Sequence, residues 1–191
     1  GTLWATYTLG TVDGTDLCWL GGIPGGGLKE VFGITAQEID TLYPGETQQV
    51  NLCGEKHEAV DYCEVLEPDG AQTLAVYADG WMAGTPAVTV NRYGKGRAIY
   101  QACRDTGSLK RELLSAVAAQ AGLAGNILEH PYGVTAHSRT DGEITYLFVE
   151  NYSHNKEAHI LLNREMTDLL TGQTVSALTL PPYGFAILKA Q

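Results

Sequence analysis

The feature that most constrains this chain is a change of texture between Gly125 and Pro131. Beyond it, residues 133–191 offer only short β-type runs, at 134–139, 144–150, 159–162, 174–180 and 185–189. Turn signals separate them at Asp141-Gly142, Ser153-His154-Asn155, Thr171-Gly172 and Pro181-Pro182. Short strands at such regular spacing predict a small antiparallel all-β sandwich. Before the break, strand-like and helix-like patterns alternate, which predicts an α/β domain. The expected division is 1–125 and 126–191.

Within the first part, residues 1–9 (GTLWATYTL) place Thr, Trp and Tyr at β positions and predict a strand. A loop dense in Gly and Asp covers 10–27, and a short helix at 28–32 stops at Gly33. Strands are expected at 73–77 and 87–92, the second turning through Tyr93-Gly94-Lys95-Gly96 into 97–102 as a hairpin. Ser108 is the expected cap of a helix over 109–121, with Leu109, Leu113, Val117 and Ala121 on one face and Gly122 at its end. A chain that enters a sheet at its first residue, with no initiating Met, is expected to be a piece of something longer.

Charge narrows the partners. There are 22 acidic and 12 basic side chains, a net charge of −10, and a pI near 4.8 leaves no basic stripe for phosphates, so nucleic acid and anionic membranes are not expected. Nine of the acids (Glu38, Asp40, Glu46, Glu55, Glu58, Asp61, Glu64, Glu67, Asp69) lie at 38–69 against one base, Lys56, and read as a solvated face. The longest uncharged stretches, 17–28 and 177–188, are broken by Gly or Pro and fall short of the roughly 20 apolar residues of a membrane span. Cys18, Cys53, Cys63 and Cys103 are far apart in sequence and form no C-x-x-C pair, which excludes zinc-ribbon and thioredoxin readings and fits a reducing, cytoplasmic compartment.

Several motifs begin and fail. Gly22 and Gly27 have the spacing of a phosphate loop, but Leu28 stands where the phosphate-binding Lys is required and no Ser or Thr follows for magnesium. His57-Glu58 opens the H-E-x-x-H pattern of a zinc protease, and Asp61 replaces its second His. His154 and His159 flank a turn without a third ligand nearby and read as solvated turn residues. Cys18, between Leu17 and Trp19 and close to Asp16, reads as a buried structural thiol, since a nucleophile wants an electropositive setting and a His partner. Glu150, beside Asn151, is the best single candidate for one of the two carboxylates a glycosidase holds about 5 to 9 Å apart, yet nothing singles out the second. Trp4, Trp19 and Trp81 suit sugar stacking, but their apolar neighbours favour core packing.

Longer strings decide the matter. Residues 10–25 (GTVDGTDLCWLGGIPG) resemble the V-D-x-x-D-L-C-x-L-G-G-x-P-G string in the middle domain of family-42 β-galactosidases, and 38–46 (EIDTLYPGE) and 83–96 (AGTPAVTVNRYGKG) resemble further strings of that domain in the same order. The ending, Asp168-Leu169-Leu170-Thr171-Gly172 and then Leu180-Pro181-Pro182-Tyr183-Gly184, is similar to the C-terminal β domain of those enzymes. The resemblance implies three parts: a (β/α)₈ barrel with both catalytic glutamates, a flavodoxin-like or class I glutamine-amidotransferase-like trimerisation domain, and a small antiparallel β domain. This chain lines up with the latter portion of the second and with the third. The expectation is therefore no catalytic, cofactor-binding or metal-binding residue, no cofactor, and a homotrimeric bacterial parent missing its barrel here, which hydrolyses terminal non-reducing β-D-galactose residues by a retaining two-glutamate mechanism. The amidotransferase chemistry has no counterpart, because no G-x-C-x-G surrounds a cysteine and no His-x-Glu pair occurs. Two other classes stay open: a carbohydrate-binding module without enzymatic activity, and an amidotransferase-like enzyme using Cys18.

Overall fold

The computed structural model describes residues 1–190, which form two compact units, Gly1–Gly122 and the residues from Leu123 onward. The first unit contains β1 (Thr2–Thr6), α1 (Leu28–Phe32), β2 (Ile34–Thr41), β3 (Gln48–Leu52), β4 (Glu55–Pro68), β5 (Gln72–Tyr77), β6 (Pro86–Tyr93), β7 (Gly96–Gln101), β8 (Cys103–Asp105) and α2 (Ser108–Gln120). Its strands make one sheet in the order β1-β7-β6-β5-β3-β4-β2, with β8 also paired to β4. Among the described residues β1 and β7 are its parallel pair, Thr2 opposite Arg97 through Thr6 opposite Gln101; the rest is antiparallel.

Alternation along β7 shows how the sheet is covered. Ile99 joins a core with Leu109 and Leu113 of α2, whereas Ala98 and Tyr100 join Phe32 of α1. Successive strand residues point to opposite faces, so α2 covers one face and α1 with its flanking loop covers the other. In α2 the expected apolar face holds at Leu109, Leu113 and the half-buried Val117, while Ala121 lies past the last helical residue and is exposed. Gly33 and Gly122 end their helices with positive φ, at 61° and 67°.

Two expectations change here. The acidic stretch 38–69 is not simply a solvated face: β2, β3 and β4 occupy most of it, and His57, Ala59, Cys63, Glu64 and Leu66 of β4 are buried. Cys63 belongs to the α2-side core and Leu66 to the α1-side core, so burial on both faces hides the alternation that would announce a strand. A register break between Ala59 and Cys63, with Asp61 at φ 61°, further obscures the period. The cap of α2 also differs. Gly107 is the N-cap residue, and Asp105 from β8 accepts hydrogen bonds from the Gly107 and Lys110 amides at 2.8 and 3.1 Å.

The second unit contains β9 (Ile127–Glu129), β10 (Val134–Thr140), β11 (Thr145–Asn151), β12 (Ala158–Asp168), β13 (Thr174–Leu180) and β14 (Phe185–Ala190). They form one antiparallel sheet in the order β10-β11-β14-β12-β13, with β9 on β12, curled around its own core as a half-barrel. Leu147 and Val149, Ala158, Ile160 and Leu162, and Ala186 and Leu188 alternate inward. β12 extends well past the expected 159–162, because a register break after Leu161 carries it on to pair Thr167 with Lys189 and Asp168 with Leu188. Among the described residues, no helix is long and apolar enough to cross a membrane.

Candidate functional site

The glycine-rich loop is tied to itself. Asp13 Oδ1 accepts from the Thr15 and Leu17 amides at 2.7 and 3.2 Å and from the Thr15 hydroxyl at 2.7 Å, and these bonds lower the Asp13 pKa. The Trp19 indole lies across Gly25, where a Cβ would sit 2.0 Å from the ring, and its N–H donates to the Val12 carbonyl at 3.0 Å. A side chain at Gly25 would evict the indole. Lys29 donates to the Gly21 carbonyl within the loop, so its ammonium is turned onto backbone. The loop thereby presents Leu17 and the fully exposed Leu20 to solvent.

Cys18 is exposed, which corrects the expected burial: residues 14–22 of the loop are all exposed, and the chain is buried again only at Pro24 and Gly25. Its accessibility to alkylation therefore no longer separates a structural thiol from a nucleophile. The tryptophans divide as well. Trp4 packs against the α2-side core, but Trp19 is partly exposed and Trp81 is 62% exposed, held by a bond from its N–H to Asp40 Oδ2 at 3.0 Å. Core packing accounts for one of the three.

The broken H-E-x-x-H pattern lies on a strand, not a helix, so His57 and Glu58 face opposite ways. His57 is buried, with Nδ1 3.0 Å from the Ser108 hydroxyl and Nε2 3.1 Å from Glu112 Oε2. Ser108 and Glu112 are four apart on α2 and so share a face. Hydroxyl, imidazole and carboxylate thus stand in a row, with His57 separated by 51 residues of sequence from Ser108, and pin the start of α2 to β4. No sequence spacing announces a contact so distant. Asp61 pairs with Arg104 at 3.1 Å on the surface.

A second polar centre sits inside the sheet. Glu64 is fully buried, its carboxylate accepting from the Tyr100 hydroxyl at 2.6 Å and the Thr8 amide at 2.9 Å. Burial raises its pKa above the ordinary carboxylate value, against the opposing pull of those two donors. Tyr62 nearby is pushed up to about 12, first by burial and then by the Glu64 charge. The only hint in the sequence is one acid between apolar neighbours in Tyr62-Cys63-Glu64-Val65-Leu66.

In the second unit, Glu150 Oε2 accepts from the Tyr152 hydroxyl at 2.8 Å and the Thr135 hydroxyl at 3.3 Å, in an exposed cluster. Asn151 is 2% exposed and works as a clasp, its amide donating to the carbonyls of Lys156, Pro181 and Leu180 at 2.9, 2.9 and 3.3 Å and its oxygen accepting from the Ser153 amide at 3.0 Å. His159 meets Thr179 across the β12–β13 ladder at 2.8 Å, and His154 is exposed in the turn before it. Among the described residues, no group of three or more His, Cys, Asp or Glu side chains is arranged to hold a metal ion.

Comparison with known proteins gives two family matches in order along the chain. Residues 1–124 match the β-galactosidase trimerisation domain and residues 133–190 the β-galactosidase C-terminal domain. A β-galactosidase of Alicyclobacillus acidocaldarius is 37% identical over 99% of this chain, and one of Clostridium perfringens 35% identical over 99%. The chain spans about 29% of the length of either. Among solved structures, the cold-adapted β-galactosidase of Rahnella sp. R3 covers the whole chain at 38% identity with a TM-score of 0.87, the chain matching 28% of it.

Proposed function

Because the chain belongs to the β-galactosidases of glycoside hydrolase family 42, spanning their trimerisation and C-terminal domains, we propose that it joins three subunits of an enzyme whose galactoside chemistry is done by residues outside these 191. The observation that carries this reading is the ordered match of residues 1–124 and 133–190 to those two domains. The parent is read as a retaining hydrolase of terminal β-D-galactosides in a reducing cytoplasm, the latter in keeping with four free thiols.

The first unit is read as part of a flavodoxin-like or amidotransferase-like fold. Its support is the parallel β1–β7 pair, whose outer β1 edge carries no further strand among the described residues, together with α2 on one face. Parallel strands are ordinarily found inside larger covered sheets, so that edge suits another parallel strand. The division between the two domains is read at residues 125 and 126.

Light scattering on the isolated chain tests the assembly: a particle near three times the 20.5 kDa subunit is expected, and a monomer at tens of micromolar would remove the reading. Chromogenic galactoside should show no turnover above a buffer blank. The exposure of Trp81 favours a second reading, a carbohydrate-binding module. Titrating galactose or lactose against Trp fluorescence separates the two, since a module saturates and a scaffold gives no saturable change.

A further inference from the structure

Cys63 and Cys103, forty residues apart in sequence, are directly opposite each other where β4 pairs with β8. The hydrogen bond beside them runs from the Glu64 amide to the Ala102 carbonyl at 2.8 Å. A bond from the residue after one partner to the residue before the other marks a non-hydrogen-bonded antiparallel pair. In such pairs the Cα atoms lie about 4.5 Å apart with their side chains on one face, inside the roughly 4.4–6.8 Å that a disulfide spans. Both thiols are free and buried in the α2-side core, and the Tyr77 hydroxyl lies against both.

We propose that Cys63 and Cys103 are a latent redox staple, which a low-molecular-weight disulfide such as oxidised glutathione closes into a β4–β8 cross-link. The Cys63 thiol loses its proton and attacks one glutathione sulfur, forming a mixed disulfide and releasing one glutathione thiolate. The deprotonated Cys103 then attacks the Cys63 sulfur and releases the second. The protein loses two protons and two electrons, and one oxidised glutathione becomes two reduced molecules.

The staple has a defined mechanical target. β8 is three residues long and leads into α2, whose first amides are capped by Asp105 at the end of β8 and whose Ser108 and Glu112 meet His57 on β4. Oxidation adds a covalent tie to a junction otherwise held by these polar contacts and by the packing of Leu109 and Leu113 in the same core as the two thiols. The reduced pair is slow to react, because burial pushes the Cys63 thiol up to about 11 and the Cys103 thiol higher still, so closure waits on opening of the β4–β8 edge.

The test uses the full chain carrying Cys18→Ser and Cys53→Ser, which removes the two exposed thiols. One sample is held natively with oxidised glutathione; another is unfolded with reductant and refolded into a glutathione redox buffer, so that burial cannot conceal a negative. The expected product is lighter by two hydrogens, yields a Cys63–Cys103 linked peptide, and unfolds with a midpoint raised by roughly 5–10 °C that dithiothreitol reverses. Adding Cys103→Ser should abolish all three changes. Two free thiols in both samples, or a linked chain whose midpoint falls, would overturn the proposal.

Discussion

Each unit carries a polar side chain almost fully withdrawn from solvent at the centre of a hydrogen-bond network, Glu64 in the first and Asn151 in the second, and the two differ in kind. The C-terminal unit uses Asn151, a neutral amide whose donors and acceptor all meet backbone. The first unit uses Glu64, an ionisable group held by one hydroxyl and one amide. An amide clasp binds equally well at any ordinary pH, whereas a buried carboxyl ties stability to protonation. The first unit carries fifteen acids, the buried Glu64 and Asp105 among them, against eight bases, and the second seven against four.

The largest expected effect comes from breaking the neutral clasp. Asn151→Ala leaves the Lys156, Leu180 and Pro181 carbonyls and the Ser153 amide without their partner, at a cost of about 3–5 kcal/mol to the second unit. Amide exchange in β11 and β14 should accelerate by the matching factor, by the same amount at pH 5 and pH 8. All three tryptophans lie in the first unit, so the Trp fluorescence transition should stay where it was. A Trp transition displaced as far as the exchange rates would show that the clasp does not act locally.

Asp105→Ala comes next, at about 1–2 kcal/mol, because it strips the Gly107 and Lys110 amides of their acceptor at the start of α2. Burial favours the protonated form of Asp105, but those amides, Gln101 and the Lys110 charge outweigh it and hold the pKa below the ordinary value. A depressed carboxyl contributes stability above its unfolded pKa, near 3.8, and loses it as the pH falls through the lower folded value. The Ala variant should therefore separate from the parent above pH 4 and approach it in stronger acid, read from urea midpoints.

The same contrast governs what the sequence disclosed. In the second unit β11, β12 and β14 alternate buried with more exposed residues, and β-type residues bounded by turn signals located 174–180 correctly and 134–139 within a residue, although β10 and β13 each bury only one residue fully. In the first, α1 and the Gly33 and Gly122 stops were legible from local chemistry, but β4 was not, since both its faces are covered and its charges dominate the composition. Polar contacts such as His57 with Ser108, and the exposure of Cys18 and Trp81, depend on distant chain crossings that no local pattern encodes. The family strings at 10–25 lie in a loop built from Asx bonds and a Trp–Gly contact, which is why they read clearly as residues while saying little about which side chains reach solvent.

The smallest effect sharpens the comparison most. Glu64→Gln keeps the shape, with the amide oxygen accepting from Thr8 and the amide nitrogen donating to the Tyr100 oxygen, so the cost in acid should be at most about 1 kcal/mol. The raised Glu64 pKa means that the folded state holds its proton more tightly than the unfolded chain, whose group titrates near 4.5. That contribution is complete below pH 4.5 and is lost as the pH rises through the folded value. The Gln side chain stands in for the protonated acid and does not titrate. The parent and Gln variants should therefore have similar Trp-fluorescence urea midpoints at pH 4, with the parent falling relative to the variant as the pH climbs. Parallel curves from pH 4 to pH 8 would show that Glu64 is no more pH-sensitive than Asn151, and the two polar centres would then differ only in shape.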